Sequence, residues 1–412
     1  MGAASSQTPG LTQAQLRLRR AVEEVDSSGV TRLVESRPAL LAARDPRDGR
    51  TALQTAIVLD RPDLVELLLL GKPRMAVPAI LSRDAEGNSA LDLASWKRSI
   101  RSVKLLLLAG AKVESSPAQR GWTPLHVAAF LDDRAVAGAL CSSRGPCPPA
   151  AANGDTPLHV AARRHASNAT EAILDGGNSI SPCARNARGR TALHVACIHG
   201  ALATARLLAP RIPPSLLNAL DTGGLAALHY AARGGLTATC YALLAAGASP
   251  SVLSTAGATP AYVAASSGHA DVIRVLASAA AEKTRGDGLP LCLRLGIHLK
   301  VGPGRQTALH AAAAGNHGAA VAALCEAVGE GSDATDGGLG FEGTLGGRLV
   351  DALDGDGATA LHTACALNCG AAARELLERG ASTTAVDASG VTALDVARRC
   401  GSAACIAVLC QR

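Results

Sequence analysis

The heptapeptide TPLHVAA occupies residues 123–129 and recurs at residues 156–162. Variants of its first four residues begin at ten positions, namely Thr51, Ser89, Thr123, Thr156, Thr191, Ala226, Thr259, Thr307, Thr359 and Thr392. Successive starts lie 33 to 38 residues apart, except for two longer steps of 48 and 52 residues after Thr259 and Thr307. A period of this length indicates an array of stacked repeats rather than separate globular domains.

Each period contains the signals of two helices. A threonine hydroxyl can cap the first helix, and the proline or alanine after it suits the first helical position. Gly200 and Asn316 are examples of residues that tolerate the left-handed conformation in which helices end. A second apolar run follows, such as LVELLLL at residues 64–70, and a turn such as DASG at 387–390 leads to the next threonine. The pattern therefore predicts repeated helix–turn–helix units.

Composition limits the class of protein. Of the 412 residues, 48% are hydrophobic but only 2% are aromatic, so alanine, leucine and valine must pack thin layers of closely approaching helices. The net charge of +6 is too mild for a nucleic-acid binder. The twelve cysteines form no CxxC pair, and we find neither a secretory signal nor an apolar run long enough to span a membrane. These features predict a reducing, cytoplasmic location.

These repeats resemble the ankyrin repeat family, in which TPLHVAA and LLAAGAS, here at residues 243–249, are close to the common pattern. The resemblance extends over roughly residues 45–412, in about ten repeats. It implies an all-α solenoid of stacked helix–turn–helix units with β-hairpin-like fingers. It also implies a non-catalytic scaffold or adaptor that binds another protein on its concave surface, with little ordering entropy opposing binding.

The resemblance also divides the chain. Residues 1–10 are expected to be a disordered N-terminus, and residues 11–44 a degenerate repeat that caps the stack. Repeats one to seven are placed at residues 45–280, repeat eight at 306–329, and repeats nine and ten at 357–412. The long steps correspond to insertions at residues 281–305 and, rich in glycine, at 330–356. In a solenoid such insertions collect on one face, often the binding face.

The stretch TALHVACIHG at residues 191–200 suggests a zinc site, because His194, Cys197 and His199 are close together. We reject this hypothesis. Histidines recur at the position of His194 in six of the repeats, where we expect the ring to bond to the threonine and to the backbone of the adjoining repeat. Cys197 stands where other repeats have alanine, and His199 points about 140° away from His194 around the helix. We therefore predict no metal ion and no cofactor.

Enzymatic activity is not expected. The GxGxxG match GLGFEG at residues 338–343 lies in a glycine-rich insertion without the strand and helix of a dinucleotide site. Cys400, Cys405 and Cys410 are interpreted as packing residues. Once ten repeats are assigned, no stretch remains that is long enough for a catalytic domain.

The family places its variable contact positions before the threonine and after the pair of small residues. At or beside these positions we find an aromatic group followed by a basic strip, and we predict that they bind an acidic segment of a partner. The predicted contact residues are Trp96, Lys97, Trp122, Phe130, Arg163, Arg164, Arg188, Arg190 and His199. The alternative is that the two tryptophans merely pack between fingers.

The start of the chain offers a second hypothesis. MGAASS matches the pattern for myristoylation of Gly2, which would give a membrane-tethered scaffold with a marginal membrane contact. The competing interpretation is a small, polar, disordered start. A further alternative function is substrate recognition within a ubiquitin ligase or acyltransferase complex. The partner itself and the oligomeric state are not predicted.

Overall fold

The structure is a computed structural model that describes residues 9–70, 73–117, 121–142, 151–176, 180–282, 295–328 and 348–411. Gly2 and large parts of the insertions predicted at 281–305 and 330–356 lie outside the described residues. The chain divides into two compact units, Met1–Ala187 and Arg188–Arg412, which are described separately.

The first unit consists of short helices that follow one another in pairs. They are α1 (Pro9–Glu23), α2 (Ser27–Ser36), a 3₁₀ turn (Pro38–Ala42), α3 (Ala52–Val58), α4 (Pro62–Leu70), α5 (Pro73–Leu81), α6 (Ala90–Trp96), α7 (Ile100–Leu108), α8 (Pro124–Phe130), α9 (Arg134–Cys141), α10 (Pro157–Arg163) and α11 (Ser167–Asp175). Within the repeats, first helices pack on first helices and second helices on second helices, as α6 does on α8 and α7 on α9.

The second unit continues the same alternation. Its helices are α12 (Ala192–His199), α13 (Leu202–Leu208), a 3₁₀ turn (Ala209–Arg211), α14 (Pro214–Leu217), α15 (Ala227–Arg233), α16 (Thr237–Ala245), α17 (Pro260–Ser266), α18 (Ala270–Glu282), α19 (Ala308–Ala314), α20 (Gly318–Val328), a 3₁₀ turn (Leu349–Asp351), α21 (Ala360–Ala366), α22 (Gly370–Glu378), α23 (Ala393–Cys400) and α24 (Ala403–Leu409). The described residues contain no extended strand, which confirms the all-α solenoid of stacked helix pairs.

The fingers between helix pairs are held by single β-bridges. Those in the described part of the chain join Arg83 to Ser89, Ser116 to Trp122, Val301 to Gln306, Leu353 to Thr359 and Val386 to Thr392. The acid–glycine turn is closed by its own aspartate. In the last finger, the carboxylate of Asp387 accepts the backbone N–H groups of Ser389 at 2.8 Å and Val391 at 3.0 Å.

Most first helices carry a pair of small residues that is buried, as Ala128 and Ala129 illustrate. Cys197 and Cys365 occupy the second of these places and are equally buried, which confirms that cysteine stands in for alanine there. In the repeats that hold alanine or cysteine there, a larger side chain would force neighbouring helices apart. The first repeat differs, because Ile57 is buried at this position.

The repeated histidine links each first helix to the next finger. The Thr191 N–H donates to Nδ1 of His194 at 3.2 Å, and Nε2–H of His194 donates to the Ala219 carbonyl at 3.0 Å. Since a backbone N–H can only donate, Nδ1 must be the acceptor and Nε2 must carry the proton. Equivalent bonds to the next finger are made by His126, His229, His310 and His362. The predicted role of these histidines is confirmed.

The residues that end the first helices have a second role. Asn316 and Asn368 adopt positive φ angles of 57° and 56°. The side-chain oxygen of Asn316 accepts the backbone N–H groups of Ala371 and Ala372, each at 3.1 Å, at the start of α22. Asn368 accepts the N–H of Ala404 at 3.1 Å in the same way. Asparagine therefore ends one helix and caps a helix of the following repeat.

A pair of glycine substitutions tests how closely the fingers approach each other. Gly154 and Gly390 hold equivalent turn positions with φ angles of +76° and +74°, but a Cβ at Gly154 would lie 2.7 Å from the Ala187 backbone nitrogen, whereas one at Gly390 would meet nothing within 4 Å. We expect Gly390→Ala to lower the free energy of unfolding by about 1 kcal/mol and Gly154→Ala by about 2–3 kcal/mol. Urea denaturation followed by circular dichroism measures both, and equal losses would contradict the close approach.

In the described ranges, every helix is too short or too polar to cross a bilayer.

Candidate partner-binding site

Three aromatic rings of the first unit lie together. The Phe130 ring is 5.9 Å from Trp96, in an edge-on arrangement, and 5.6 Å from Trp122, at a tilt of 53°. Trp96 and Trp122 are the two tryptophans of the chain, and they belong to neighbouring repeats. Trp96 is 37% exposed, and Trp122 and Phe130 are half-buried. The structure thus brings together the aromatic residues that the sequence indicated.

The repeat explains this arrangement. Trp96 and Phe130 are the last residues of α6 and α8, so they occupy equivalent positions on stacked helices. Trp122 precedes the N-cap Thr123, and its carbonyl accepts the Ser116 N–H at 2.6 Å across the finger. Its ring also stacks on His126 at 6.1 Å. Trp122 therefore packs within its own finger as well as against Phe130.

Arg164 completes the group. Its guanidinium lies over the Phe130 ring, 4.4 Å from the centroid, in a cation–π contact. The side chain is exposed, and no carboxylate of the described residues forms an ion pair with it. We call Trp96, Trp122, Phe130 and Arg164 the Phe130 cluster. The exposed Lys97 follows Trp96 directly and adds a second positive charge.

Arg163 is arranged differently from its neighbour. Its guanidinium forms an ion pair of 2.6 Å with Asp155, whose side chain is only 1% exposed. Asp155 also accepts hydrogen bonds from Asn153 and Asn186, each at 2.8 Å. Burial alone would raise the pKa of Asp155, but the bonds from Asn186 and Arg163 outweigh it and lower the pKa. Arg163 thus balances a buried charge of the protein itself.

The remaining predicted residues belong to the second unit. Arg190 donates to Asp221 at 3.0 Å and to the Tyr230 hydroxyl at 3.0 Å, and that hydroxyl donates to Asp221 at 2.7 Å. Burial opposes ionisation of Asp221, yet the bonds from Tyr230 and Arg190 lower its pKa. Arg190 is therefore part of a closed internal network.

Arg188 and His199 are exposed. The backbone carbonyl of Arg188 accepts the hydroxyl of Thr222 at 2.8 Å, which ties two fingers together, and His199 is the last residue of α12. Their side chains lie on the surface of the second unit.

Sequence reasoning missed Arg233. This exposed residue follows Ala231 and Ala232 just as Phe130 follows its own alanine pair, and its guanidinium lies 5.7 Å from the centroid of the Tyr230 ring. The positional rule that selected Phe130 and Arg163 also selects Arg233.

The residues of the rejected zinc site are engaged elsewhere. Both ring nitrogens of His194 are hydrogen-bonded within the protein, and burial raises the pKa of the Cys197 thiol far above its usual value. Within the described ranges, no three histidine, cysteine or acidic side chains are grouped so that they could hold a metal ion.

Comparison with known proteins agrees with an array of stacked helix pairs. The mouse (Mus musculus) nuclear factor NF-kappa-B p105 subunit is 33% identical over 119 residues, which is 29% of this chain and 12% of that protein. Protein PhlB of Serratia liquefaciens is 33% identical over 151 residues, 36% of this chain and 63% of PhlB. The chain thus spans less than two thirds of the length of either relative. The family model described as ankyrin repeats (3 copies) matches residues 18–116, 145–216, 213–287 and 286–385, so the chain belongs to the ankyrin repeat family.

Proposed function

We propose that this protein is a non-catalytic scaffold or adaptor that binds an acidic segment of a protein partner at the Phe130 cluster. The observation that carries the proposal is the contact between Arg164 and Phe130, in which an exposed cation is held on an aromatic face without a carboxylate partner among the described residues. Tryptophan and arginine are the residue types that dominate the energy of protein interfaces.

The Phe130 cluster is already ordered before binding. Trp96 and Phe130 end rigid helices, and the Phe130 ring holds the guanidinium of Arg164. A partner therefore has to immobilise few side chains, which favours affinity. The exposed edge of Trp96 offers an apolar contact, and Arg164 with Lys97 offers positive charge.

Charge determines which partner fits. The face of the Phe130 ring could attract a cation, but the guanidinium of Arg164 already occupies it. A lysine of the partner would be repelled by that guanidinium, so the site disfavours lysine-rich segments. A partner segment with a carboxylate next to a large apolar residue can contact both the positive charge of Arg164 and the exposed edge of Trp96.

The free cysteine thiols bear on where in the cell the protein is located. The ten cysteines in the described part of the chain are not joined by disulfides. Cys197, Cys240, Cys365 and Cys405 are buried between helices, and burial raises the pKa of the Cys365 thiol to about 12. Thiols held protonated in this way suit a reducing compartment, and we propose an intracellular location.

Capture of partners by matched variants tests the proposal. The full chain, the double variant Trp96→Ala/Arg164→Gln and the control Arg206→Gln are used as baits, and bound proteins are quantified by mass spectrometry. Arg206 is an exposed arginine on α13 in the second unit, so its replacement removes a charge that is not part of the cluster. We expect the double variant to lose its main partner, with capture at least about tenfold lower, and the control to keep it.

Tryptophan fluorescence adds a direct readout on the recovered partner. Because both tryptophans of the chain belong to the Phe130 cluster, the chain's own emission, excited near their absorption edge, reports on this site once the emission of the partner alone is subtracted. A partner that binds without changing the emission, and is captured equally by the double variant, would show that binding takes place elsewhere. Trp122 is left intact in these variants because its ring also stacks on His126.

A further inference from the structure

Five arginines of the repeats fall into two structural classes. Arg98, Arg163 and Arg190 are paired with Asp133, Asp155 and Asp221, whose side chains are at most 11% exposed. Arg164 and Arg233 instead lie on the rings of Phe130 and Tyr230. The first class neutralises buried carboxylates, whereas the second holds positive charge at the surface.

The surroundings of Arg233 show how its position is maintained. The Tyr230 hydroxyl is fixed between Asp221 and Arg190, and the edge of the ring meets His194 at 6.3 Å. The ring is therefore held at its hydroxyl and at one edge. The guanidinium carbon of Arg190 lies 5.3 Å from the ring centroid, and that of Arg233 lies 5.7 Å from it. In the described ranges, Arg233 forms no ion pair with a carboxylate.

One positive charge around the Tyr230 ring is not balanced by a carboxylate of the described residues. Arg190 and Asp221 neutralise each other across 3.0 Å, so Arg233 contributes a surplus of one positive charge. Two guanidinium groups already lie on the Tyr230 ring, so a cationic ligand would be repelled. A planar guanidinium with donors along its edge matches a carboxylate, which it can bind through two parallel hydrogen bonds.

We propose that Arg233, held on Tyr230, binds a carboxylate side chain of a protein partner and so forms an anion contact in the second unit. This inference rests on the proposed function in taking a protein as the partner, but its residues are separate from the Phe130 cluster. The contact adds a requirement for a second acidic residue in the partner.

Arginine side-chain spectra provide a test on the full chain. The Nε–Hε signals of protein labelled with ¹⁵N at arginine are recorded during titration with the peptide acetyl-Gly-Glu-Gly-amide, and Arg233→Gln assigns its own signal. We expect the Arg233 signal to shift with the glutamyl peptide and not with acetyl-Gly-Gln-Gly-amide at equal ionic strength. The paired Arg190 and the exposed Arg206 serve as internal references and are expected to shift at least about fivefold less.

The other outcomes separate the inference from the proposed function. A parallel titration uses acetyl-Gly-phosphoSer-Gly-amide, and a shift with that peptide alone would overturn the inference by showing that the ligand is a phosphate. Equal shifts of Arg233 and Arg206 would overturn it by showing general charge screening. If the signal of Arg164 responds while that of Arg233 does not, the inference fails but the proposed function stands. If only Arg233 responds, and the Trp96→Ala/Arg164→Gln bait keeps its partner, the proposed function fails instead.

Discussion

Replacement of His126 by alanine is expected to lower the free energy of unfolding by about 3 kcal/mol. The ring is fully buried, its Nδ1 accepts the Thr123 N–H at 3.1 Å, and its Nε2–H donates to the Asp155 carbonyl at 2.9 Å. Alanine would leave a cavity and two buried polar groups without their partners. Urea denaturation of both proteins at neutral pH measures the difference.

The chain itself provides the control for this substitution. In the first repeat, Gln54 replaces the histidine and makes the same two kinds of bond: its side-chain oxygen accepts the Thr51 N–H at 2.9 Å, and its amide donates to the Asn88 carbonyl at 3.2 Å. We therefore expect His126→Gln to cost less than about 1 kcal/mol. A loss as large as that of alanine would show that the volume of the ring, rather than its bonds, stabilises the repeat.

His126 also makes the free energy of unfolding depend on pH, and His126→Gln removes this dependence. Burial lowers the pKa of His126 to about 4, below the value near 6.5 of an exposed histidine. The unfolded chain therefore binds a proton that the folded chain excludes, and stability falls as the pH drops from about 6.5 towards 4. Between pH 7 and pH 5 this one residue is expected to cost about 2 kcal/mol, a loss that His126→Gln abolishes. Identical slopes of stability against pH in both proteins would contradict the assignment.

Substitution of neighbouring arginines is expected to separate binding from stability. Arg164→Gln should weaken binding of the partner about tenfold and leave the free energy of unfolding nearly unchanged, because Arg164 rests on Phe130 at the surface. Arg163→Gln should cost about 1–2 kcal/mol of stability, because it leaves the buried Asp155 without its ion pair. Its effect on affinity should be smaller.

Titration calorimetry with the recovered partner, together with urea denaturation, measures both quantities for each variant. The two side chains are adjacent in sequence and carry the same charge, so each variant is the control for the other. If Arg163→Gln weakens binding as much as Arg164→Gln at equal stability, charge alone determines recognition and the contact with Phe130 has no special role.

The helices, their caps and the bond between each threonine and its histidine could be predicted because they depend on short separations that recur along the chain. Thr191 and His194 are three residues apart, and the pair of small residues lies within the same turn and a half of helix. Such signals are local, and ten imperfect copies show which positions are constant. Gln54 illustrates a limit, since only the structure shows that glutamine reproduces the bonds of histidine.

The sequence by itself determined the repeat, the family and the surface positions, because the period assigns each residue a place in the unit. It also indicated that Trp96, Trp122 and Phe130 would lie near each other. Only the tertiary structure decided which arginines are available to a partner. Arg190 meets Asp221 from 31 residues away, whereas Arg164 meets the ring of Phe130 on the first helix of the preceding repeat. Pairing with a carboxylate or with an aromatic face depends on how successive repeats pack, and an arginine in the sequence is compatible with either.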